Sequence, residues 1–358
     1  MILSVVSFLR ILIPFLAVLL VLILAHEVGH FVTAKISKVK VDEFSIGFPP
    51  RIFSVKRGET RYSIGAALIG GFVKMAGEED PKVPGGLSSK GYGTRMLVLS
   101  AGTIMNLLLP IVLFTVAFIV PHDIVTGQVT VWQVAPDSPA NRADIAPGDI
   151  ILEVNGKPVG TVGDLHRYVQ LNLGMPTTLL VQRGETTHEV QVVPRWRPPQ
   201  EQGAIGVMVR LTSPKPGRES YPVWRAITLG FTASIDTFVL FKNSIISMFI
   251  GTEPAVLTGP VGIFQLTGEV AKAGLNPLLE FAAFLSINLG IINILPLPAL
   301  DGGRIAFVVL EWVRRGKKVS PKTEGMVHLI GFALLIALAL AVTYNDIIRI
   351  VAGESLIP

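Results

Sequence analysis

Long apolar runs alternate with polar segments along this chain. Four of the runs, at residues 12–34, 96–121, about 280–300 and about 326–345, are long enough to cross a hydrocarbon layer of about 30 Å as helices. Between the second and third runs charged residues return and apolar residues alternate with polar ones, which is typical of strands in a water-exposed domain. The pattern predicts an α-helical polytopic membrane protein with four transmembrane helices and an inserted domain.

The composition supports a membrane protein and removes several kinds of chemistry. Half of the 358 residues are hydrophobic, and the mean hydropathy is +0.57. The chain contains no cysteine, which excludes zinc thiolates, disulfide bonds and thiol catalysis, so any metal ligand must be a histidine or a carboxylate. The net charge of +5 lies mainly in loops that flank the apolar runs, and we therefore expect no nucleic-acid partner.

The predicted spans divide the chain into three parts. Residues 1–121 form an N-terminal membrane core, whose first span we interpret as a retained helix because no A-x-A-like signal-peptide cleavage site is present. Residues 122–212 form the inserted domain, and residues 213–358 form a C-terminal membrane core with a further helix at about 222–250. Asp236 and Lys242 interrupt that helix, which we expect to lie along the membrane interface.

A β-prone segment at about residues 40–75 follows the first span and includes YSIGAALIGGFVKM. Its paired glycines, Gly70 and Gly71, allow another backbone to approach closely. The segment fits a membrane-associated β-hairpin or sheet, and it fits an ordinary amphipathic loop hairpin as well.

Loop charges indicate how the spans are oriented. With four spans, the loops at residues 35–95 and 302–325 face the same side, and these loops hold most of the Lys and Arg. Because basic loops stay in the cytoplasm, we expect both of them there and the inserted domain outside. A fifth span at about 222–250 would put the two basic loops on opposite sides.

The first span ends in the motif HEVGH, which carries candidate chemistry. His26 and His30 are four residues apart, so both imidazoles project from one face of a helix, and Glu27 follows the first of them. This is the H-E-x-x-H pattern, in which two imidazoles bind zinc and the glutamate acts as the general base for water.

The end of the third span offers a third zinc ligand. Asp301 lies in NILPLPALDGGR, at the same expected membrane depth as the two histidines, and Pro296 and Pro298 interrupt the helix before it. Two imidazoles and one carboxylate leave zinc an open position, which is the catalytic arrangement. Asp301 also fits a simple helix cap. Asn106, in the second span, fits an interhelical hydrogen bond or a position in the site.

The inserted domain resembles a PDZ domain of the bacterial type. The segment SPANRADIAPGDIILEVNGKPV carries this resemblance, within about 85 residues of strands, turns and one helix. Such domains bind an extended peptide as an added strand. The chain has no clear GLGF-like carboxylate-binding loop, so the resemblance implies a possible peptide ligand without indicating its chemistry.

Taken together, the motifs resemble the site-2 protease family of intramembrane zinc metalloproteases, specifically the bacterial regulator-of-sigma-E-protease type with one PDZ domain. The resemblance covers essentially the whole chain and is carried by five segments, which are HEVGH, GGFVKM, SAGTIMN, GPVGIFQLTGEVAKAG and NILPLPALDGG. It implies one Zn²⁺ per chain, held by His26, His30 and Asp301, with Glu27 as the base. It further implies a set of substrate-binding residues, which are Asn293, Asn106, Gly70, Gly71 and Phe72.

The same resemblance implies a bacterial inner-membrane protease that cuts transmembrane segments of other proteins. Anti-sigma factors and leftover signal peptides are both compatible substrates, and the active site would face the cytoplasm. Two other classes of function remain open from the residues themselves. One is a catalytically inactive membrane adaptor that uses the PDZ-like domain. The other is a transporter with intramembrane ion relays, which predicts internal repeats that we do not find in the sequence.

Overall fold

A computed structural model describes residues 2–78, 80, 82–199, 202–252 and 258–352, with the side chains of residues 2–7 and 69 left out. Helices and strands follow the chain in the order α1 (Ile2–Ile36), β1 (Val41–Arg57), β2 (Thr60–Met75), α2 (Tyr92–Ile119), β3 (His122–Val134), α3 (Pro139–Arg142), β4 (Ile150–Val154), β5 (Lys157–Pro158), α4 (Val162–Leu171), β6 (Thr177–Arg183), β7 (Thr186–Val192), β8 (Val207–Glu219), α5 (Val223–Phe249), α6 (Pro260–Ala273), α7 (Leu275–Ile294), α8 (Asp301–Val313) and α9 (Pro321–Val351). The chain forms two compact units, which are Met1–Ala117 with Leu257–Pro358, and Phe118–Val256.

Among the described residues, five helices are long and apolar enough to cross a membrane. Four of them, α1, α2, α7 and α9, correspond to the spans that the sequence predicts. The fifth is α5, which the sequence places at the membrane interface, and its hydropathy of 1.2 is the lowest of the five. Length and composition therefore allow four or five spans.

In the first unit, β1 and β2 pair antiparallel as a hairpin that folds back on itself. Ile46 aligns with both Gly71 and Ile64, so the first half of β1 has a part of β2 on either side. As a result, Gly71–Met75 becomes an edge of the sheet, and among the described residues no strand pairs with its outer side. The hairpin packs against α1 through Phe31, whose ring lies 5.3 Å from that of Phe44 and 5.9 Å from that of Tyr62.

An ion pair between the buried carboxylate of Glu43 and the more exposed guanidinium of Arg51 stabilises the fold of this hairpin. Glu43 is 6% exposed and accepts two hydrogen bonds from Arg51, at 2.8 and 2.7 Å, and one from the hydroxyl of Ser63 at 2.7 Å. The bonds from Arg51 and Ser63 outweigh burial and lower the pKa of the Glu43 carboxyl. The carboxylate therefore ties together three segments of the folded hairpin.

The second unit contains a six-stranded sheet in the order β7-β6-β4-β3-β8, with β5 paired to β4. Its core is formed by alternate apolar residues of the central strands, such as Val129, Ile151 and Leu179, each 0% exposed, and by Leu165 of α4. This is the region in which the sequence predicts a PDZ-like domain. Strand β8 continues to Glu219, seven residues past the predicted boundary, because it stays paired with β3 along their whole length.

Helix α5 belongs to this second unit, whereas the sequence assigns it to the C-terminal membrane core. Arg167 of α4 donates to Asp236 of α5 at 3.2 Å, and the Asn243 side chain donates to the Gln170 carbonyl at 2.7 Å. Polar residues that interrupt the apolar pattern of α5 thus contact the domain. Sequence hydropathy does not reveal these partners.

Candidate zinc centre

The HEVGH motif lies within α1, where a continuous helix places His26 and His30 one turn apart on the same face. His30 is 6% exposed, and its Nδ1 donates to the Val98 carbonyl of α2 at 2.8 Å. In the neutral ring this bond leaves the Nε2 of His30 without a proton. The nitrogen that faces His26 is therefore an electron-pair donor, as a metal ligand must be.

Asp301 contacts the two histidines although 271 residues separate it from His30 in the sequence. Helix α7 ends at Ile294, the chain is non-helical up to Leu300, and Asp301 is the first residue of α8. One carboxylate oxygen, Oδ2, lies 3.2 Å from Nε2 of His26 and 3.1 Å from Nε2 of His30. The two Nε2 atoms are 3.3 Å apart, so the three atoms form a nearly equilateral triangle.

This triangle fits a zinc ion. Ligands bound at 2.0–2.1 Å in a tetrahedron are separated by about 3.3 Å, which is close to all three distances. His26, His30 and Asp301 are also the one group of His, Asp and Glu side chains among the described residues whose ligand atoms cluster in this way. Three electron-pair donors this close repel each other unless a metal ion or a proton lies between them. The donor set, two imidazoles and a carboxylate, is one that catalytic zinc uses.

Asn106 contacts the candidate ligand His26 and does not line the cavity. Its side chain is 0% exposed, and its amide nitrogen Nδ2 lies 3.2 Å from Nδ1 of His26, while Oδ1 has no hydrogen-bond partner. Zinc binding through Nε2 of His26 requires a proton on Nδ1, and rotation of the amide by 180° brings Oδ1 into position to accept it. In that orientation Asn106 fixes the ring of His26 as Val98 fixes that of His30.

Close packing of α1 on α2 makes these contacts possible, and two glycines allow it. A Cβ added to Gly29, within HEVGH, would lie 2.7 Å from Cγ of Met105 and even closer to the Ala101 carbonyl. A Cβ added to Gly102 would lie 2.6 Å from Cε1 of His26. Nothing in the sequence marks either glycine as a packing position, although the motif SAGTIMN contains Gly102.

A cavity of about 350 Å³ opens beside the three candidate ligands. Glu27 lines it, together with Asn293 and Phe72, and so does Gly71 of the edge strand. A Cβ on Gly71 would lie 3.1 Å from Cγ of Glu27, so the strand backbone passes directly over the glutamate. Gly70 is not among the lining residues, but its backbone lies under the Phe48 ring, which stacks on Phe72 with centroids 6.4 Å apart.

Arg304 also lines the cavity, one turn after Asp301, and was not recognised in the sequence. It donates to Oε2 of Glu78 at 2.8 Å, while Oε1 of the same carboxylate accepts the Met75 amide at 2.9 Å. One glutamate thus links the helix of the third candidate ligand to the end of the edge strand. The signal available in the sequence was the basic residue at the end of LDGGR, three positions after a candidate ligand.

The profile of peptidase family M50 matches residues 14–338 of the chain. The chain belongs to this family, the site-2 proteases. A protein of Clostridium acetobutylicum is 37% identical over 330 residues, which are 92% of this chain and 94% of that protein. The zinc metalloprotease RasP of Oceanobacillus iheyensis is 30% identical over 414 residues, with 92% of this chain and 97% of the relative covered.

The regulator of sigma-W protease RasP of Bacillus subtilis is 29% identical, over 96% of this chain and 99% of its own length. Among solved structures, the PDZ domain of the SdrC-like protein of Listeria innocua matches 24% of this chain and 96% of its own, with 20% identity and a TM-score of 0.21. Membership of family M50 makes the chain a membrane-embedded zinc metalloprotease. This confirms the family, the enzyme class and the cofactor that the motifs predict.

Proposed function

We propose that this M50 peptidase cuts transmembrane segments of other proteins within the bilayer, with His26, His30 and Asp301 as the zinc ligands and Glu27 as the general base. The observation that carries the proposal is the triangle of ligand atoms, 3.1 to 3.3 Å apart, beside a cavity lined by Glu27. His26 and His30 lie near the end of the apolar helix α1, and Asp301 follows the end of the apolar helix α7, so the reaction would occur at membrane depth.

The chain's own residues supply the proton transfers and the positioning. When bound, zinc polarises the scissile carbonyl and acidifies water. Glu27 accepts a proton from the attacking water on its carboxylate and later passes that proton to the leaving amine. The Val98 carbonyl, and Asn106 once its amide is rotated, would hold the two imidazoles in the tautomer that leaves Nε2 able to bind the cation.

The edge strand would bind the substrate as an added strand. The backbone amide of Ala76 donates to the Lys40 carbonyl, whereas the backbone amide of Met75 donates to the side chain of Glu78. The backbone N–H of Met75 therefore points away from β1. Because backbone groups alternate along a strand, those of Val73 and Gly71 face outward as well. An extended substrate would pair with these groups, which offsets part of the cost of unwinding its transmembrane helix.

Membrane regulators of the anti-sigma type and leftover signal peptides are the substrate classes that we propose, in line with the name of the Bacillus relative. The basic loops support an active site toward the cytoplasm and an inserted domain on the other side. The inserted PDZ-like domain would bind an extended peptide on an open strand edge.

Substitution of Glu27 by Gln tests the assignment of the base. We expect Glu27→Gln to keep one zinc per chain and to lose cleavage of a fluorogenic transmembrane peptide by at least about 100-fold. In cells, membrane proteomics of the wild type against Glu27→Gln should reveal transmembrane stubs that accumulate in the variant. A variant that cleaves at the wild-type rate contradicts the role of Glu27, and a chain without zinc favours an inactive adaptor.

Photocrosslinking tests the edge strand. In the Glu27→Gln background, benzoylphenylalanine in place of Phe72 should capture the same transmembrane peptide. The matched control is Phe53, which is 60% exposed and lies in the half of β1 away from the cavity. Equal capture at the two positions would contradict substrate binding along Gly71–Met75.

A further inference from the structure

Helix α9 has few anchors in the first unit. Most of its side chains are exposed, and its buried residues among those described are Gly331 and Asp346. Near its start, His328 also turns inward, and its ring lies 5.5 Å from that of Phe307. His328 and Gly331 are three residues apart and therefore share one face of the helix. The contacts of this face determine whether α9 influences the positions of the candidate zinc ligands.

The face meets the short non-helical segment that leads to Asp301. Prolines at 296 and 298 prevent helix formation there, and Ala299 has a positive φ of 74°, which is uncommon for a residue with a Cβ. On its other side, the segment lies against the first turn of α8, where a Cβ on Gly303 would be 3.0 Å from the Leu297 carbonyl carbon. Such a backbone conformation persists only when its surroundings hold it.

Two contacts from α9 hold this segment. The Ala299 amide donates to Nδ1 of His328 at 2.9 Å. A Cβ on Gly331 would lie 3.0 Å from both the carbonyl carbon and the oxygen of Pro298, and closer still to the proline ring. Gly331 therefore brings α9 into backbone contact with Pro298, while His328 bonds the next residue. Asp301 follows two residues later.

We propose that His328 and Gly331 are positioning residues, which hold the Pro298–Ala299 turn and thereby keep Asp301 in the triangle of zinc ligands. The position of α9 and the position of the Asp301 carboxylate are then coupled. A displacement of α9 loosens the turn and weakens zinc binding, although no residue of α9 touches the ion. The inference rests on Asp301 being a ligand, as proposed above.

Matched glycine substitutions test the close approach. Gly331→Ala adds a methyl group against Pro298, whereas Gly325→Ala adds one on the same helix with nothing within 4 Å. Both changes favour the helix, so loss of helix stability cannot account for a difference between them. We expect Gly331→Ala in the purified full chain to weaken zinc binding about 10- to 100-fold in competition with a chelator, and Gly325→Ala to leave it unchanged.

Variants of His328 test the hydrogen bond independently. His328→Phe keeps a ring beside Phe307 but cannot accept from the Ala299 amide, and we expect weaker zinc binding and an altered visible spectrum of the Co²⁺-substituted protein. His328→Gln restores an acceptor and should recover part of the affinity. A merely structural role would not produce rescue by Gln together with a changed Co²⁺ spectrum.

Asp301→Asn separates this inference from the proposed site. If Asp301→Asn leaves zinc affinity and the Co²⁺ spectrum unchanged, the ligand assignment itself is wrong. If Asp301→Asn weakens binding while Gly331→Ala and His328→Phe behave like Gly325→Ala, the ligand assignment holds and the coupling to α9 is overturned.

Discussion

Gly102 offers a sharp test of the packing that supports the zinc centre. It lies on α2 directly against the two imidazoles, and an added Cβ would be 2.6 Å from Cε1 of His26, with ordinary contact beginning at 3.4 Å. Neither ring is free to turn away. His30 is fixed by the Val98 carbonyl, and His26 is fixed by Asn106.

The Gly102→Ala substitution must therefore move a ring or a helix by at least roughly 0.8 Å, since Nε2 of His30 lies closer still. A misplacement of about 1 Å costs on the order of 100-fold in rate. Overpacking of this kind also costs about 1–3 kcal/mol of stability. We expect cleavage of a fluorogenic transmembrane peptide to fall about 100-fold. The protein should remain folded, because the change adds a single methyl group.

The assay needs a control on the same helix. Gly93→Ala also adds a methyl group to α2, but with nothing within 4 Å of the new carbon. Zinc per chain, the rate of cleavage and the unfolding temperature would be measured for both variants in the same detergent. Gly102→Ala with the zinc content and rate of Gly93→Ala would refute the argument that α2 fixes the ligand geometry.

Three further predictions concern the metal, the inserted domain and α9. Removal of zinc by a strong chelator should abolish cleavage, and added Zn²⁺ should restore it. Burial alone would raise the pKa of Asp149, but bonds from Arg183 and the Ala146 amide lower it. The stabilisation of the folded state by the bonds to Asp149 is therefore complete above the unfolded pKa of about 3.9, and it is lost as pH falls through the lower folded pKa. Asp149→Asn should make the free energy of unfolding less dependent on pH below about pH 4. Asp346 accepts the amides of Gly259 and Gly262 at 3.0 and 2.8 Å, so Asp346→Ala should lower the unfolding temperature more than Asp346→Asn does.

Two independent constraints allow the sequence to predict the three candidate metal ligands that the structure brings together. The spacing of His26 and His30 is local, and a helix alone brings the two rings together. Membrane depth restricts the distant partner, since ionisable residues are rare within spans and Asp301 lies at the same expected depth as the two histidines. Helix boundaries follow in the same way, from apolar runs and from Pro296 and Pro298.

Other features depend on contacts that a single sequence does not encode locally. Whether Asn106 faces a neighbouring helix or a ligand depends on how α2 rotates against α1, which is determined by the close approach at Gly29 and Gly102. The folded-back hairpin depends on register, and its register is held by the pair of Glu43 with Arg51 from a bend in β1. Such pairs become recognisable only when the fold is known.

The outward edge of the strand has to be solvated when no substrate is bound. The amide and carbonyl groups of Gly71 and Val73 need hydrogen-bond partners, and lipid chains supply none. At rest, water in the cavity that Gly71, Val73 and Glu27 line would supply these partners. In the proposed mode of binding, an arriving substrate strand would take over these bonds and release that water next to Glu27. The water that solvates the edge strand between substrates is therefore also the water that hydrolysis requires, and it is held in an otherwise apolar environment.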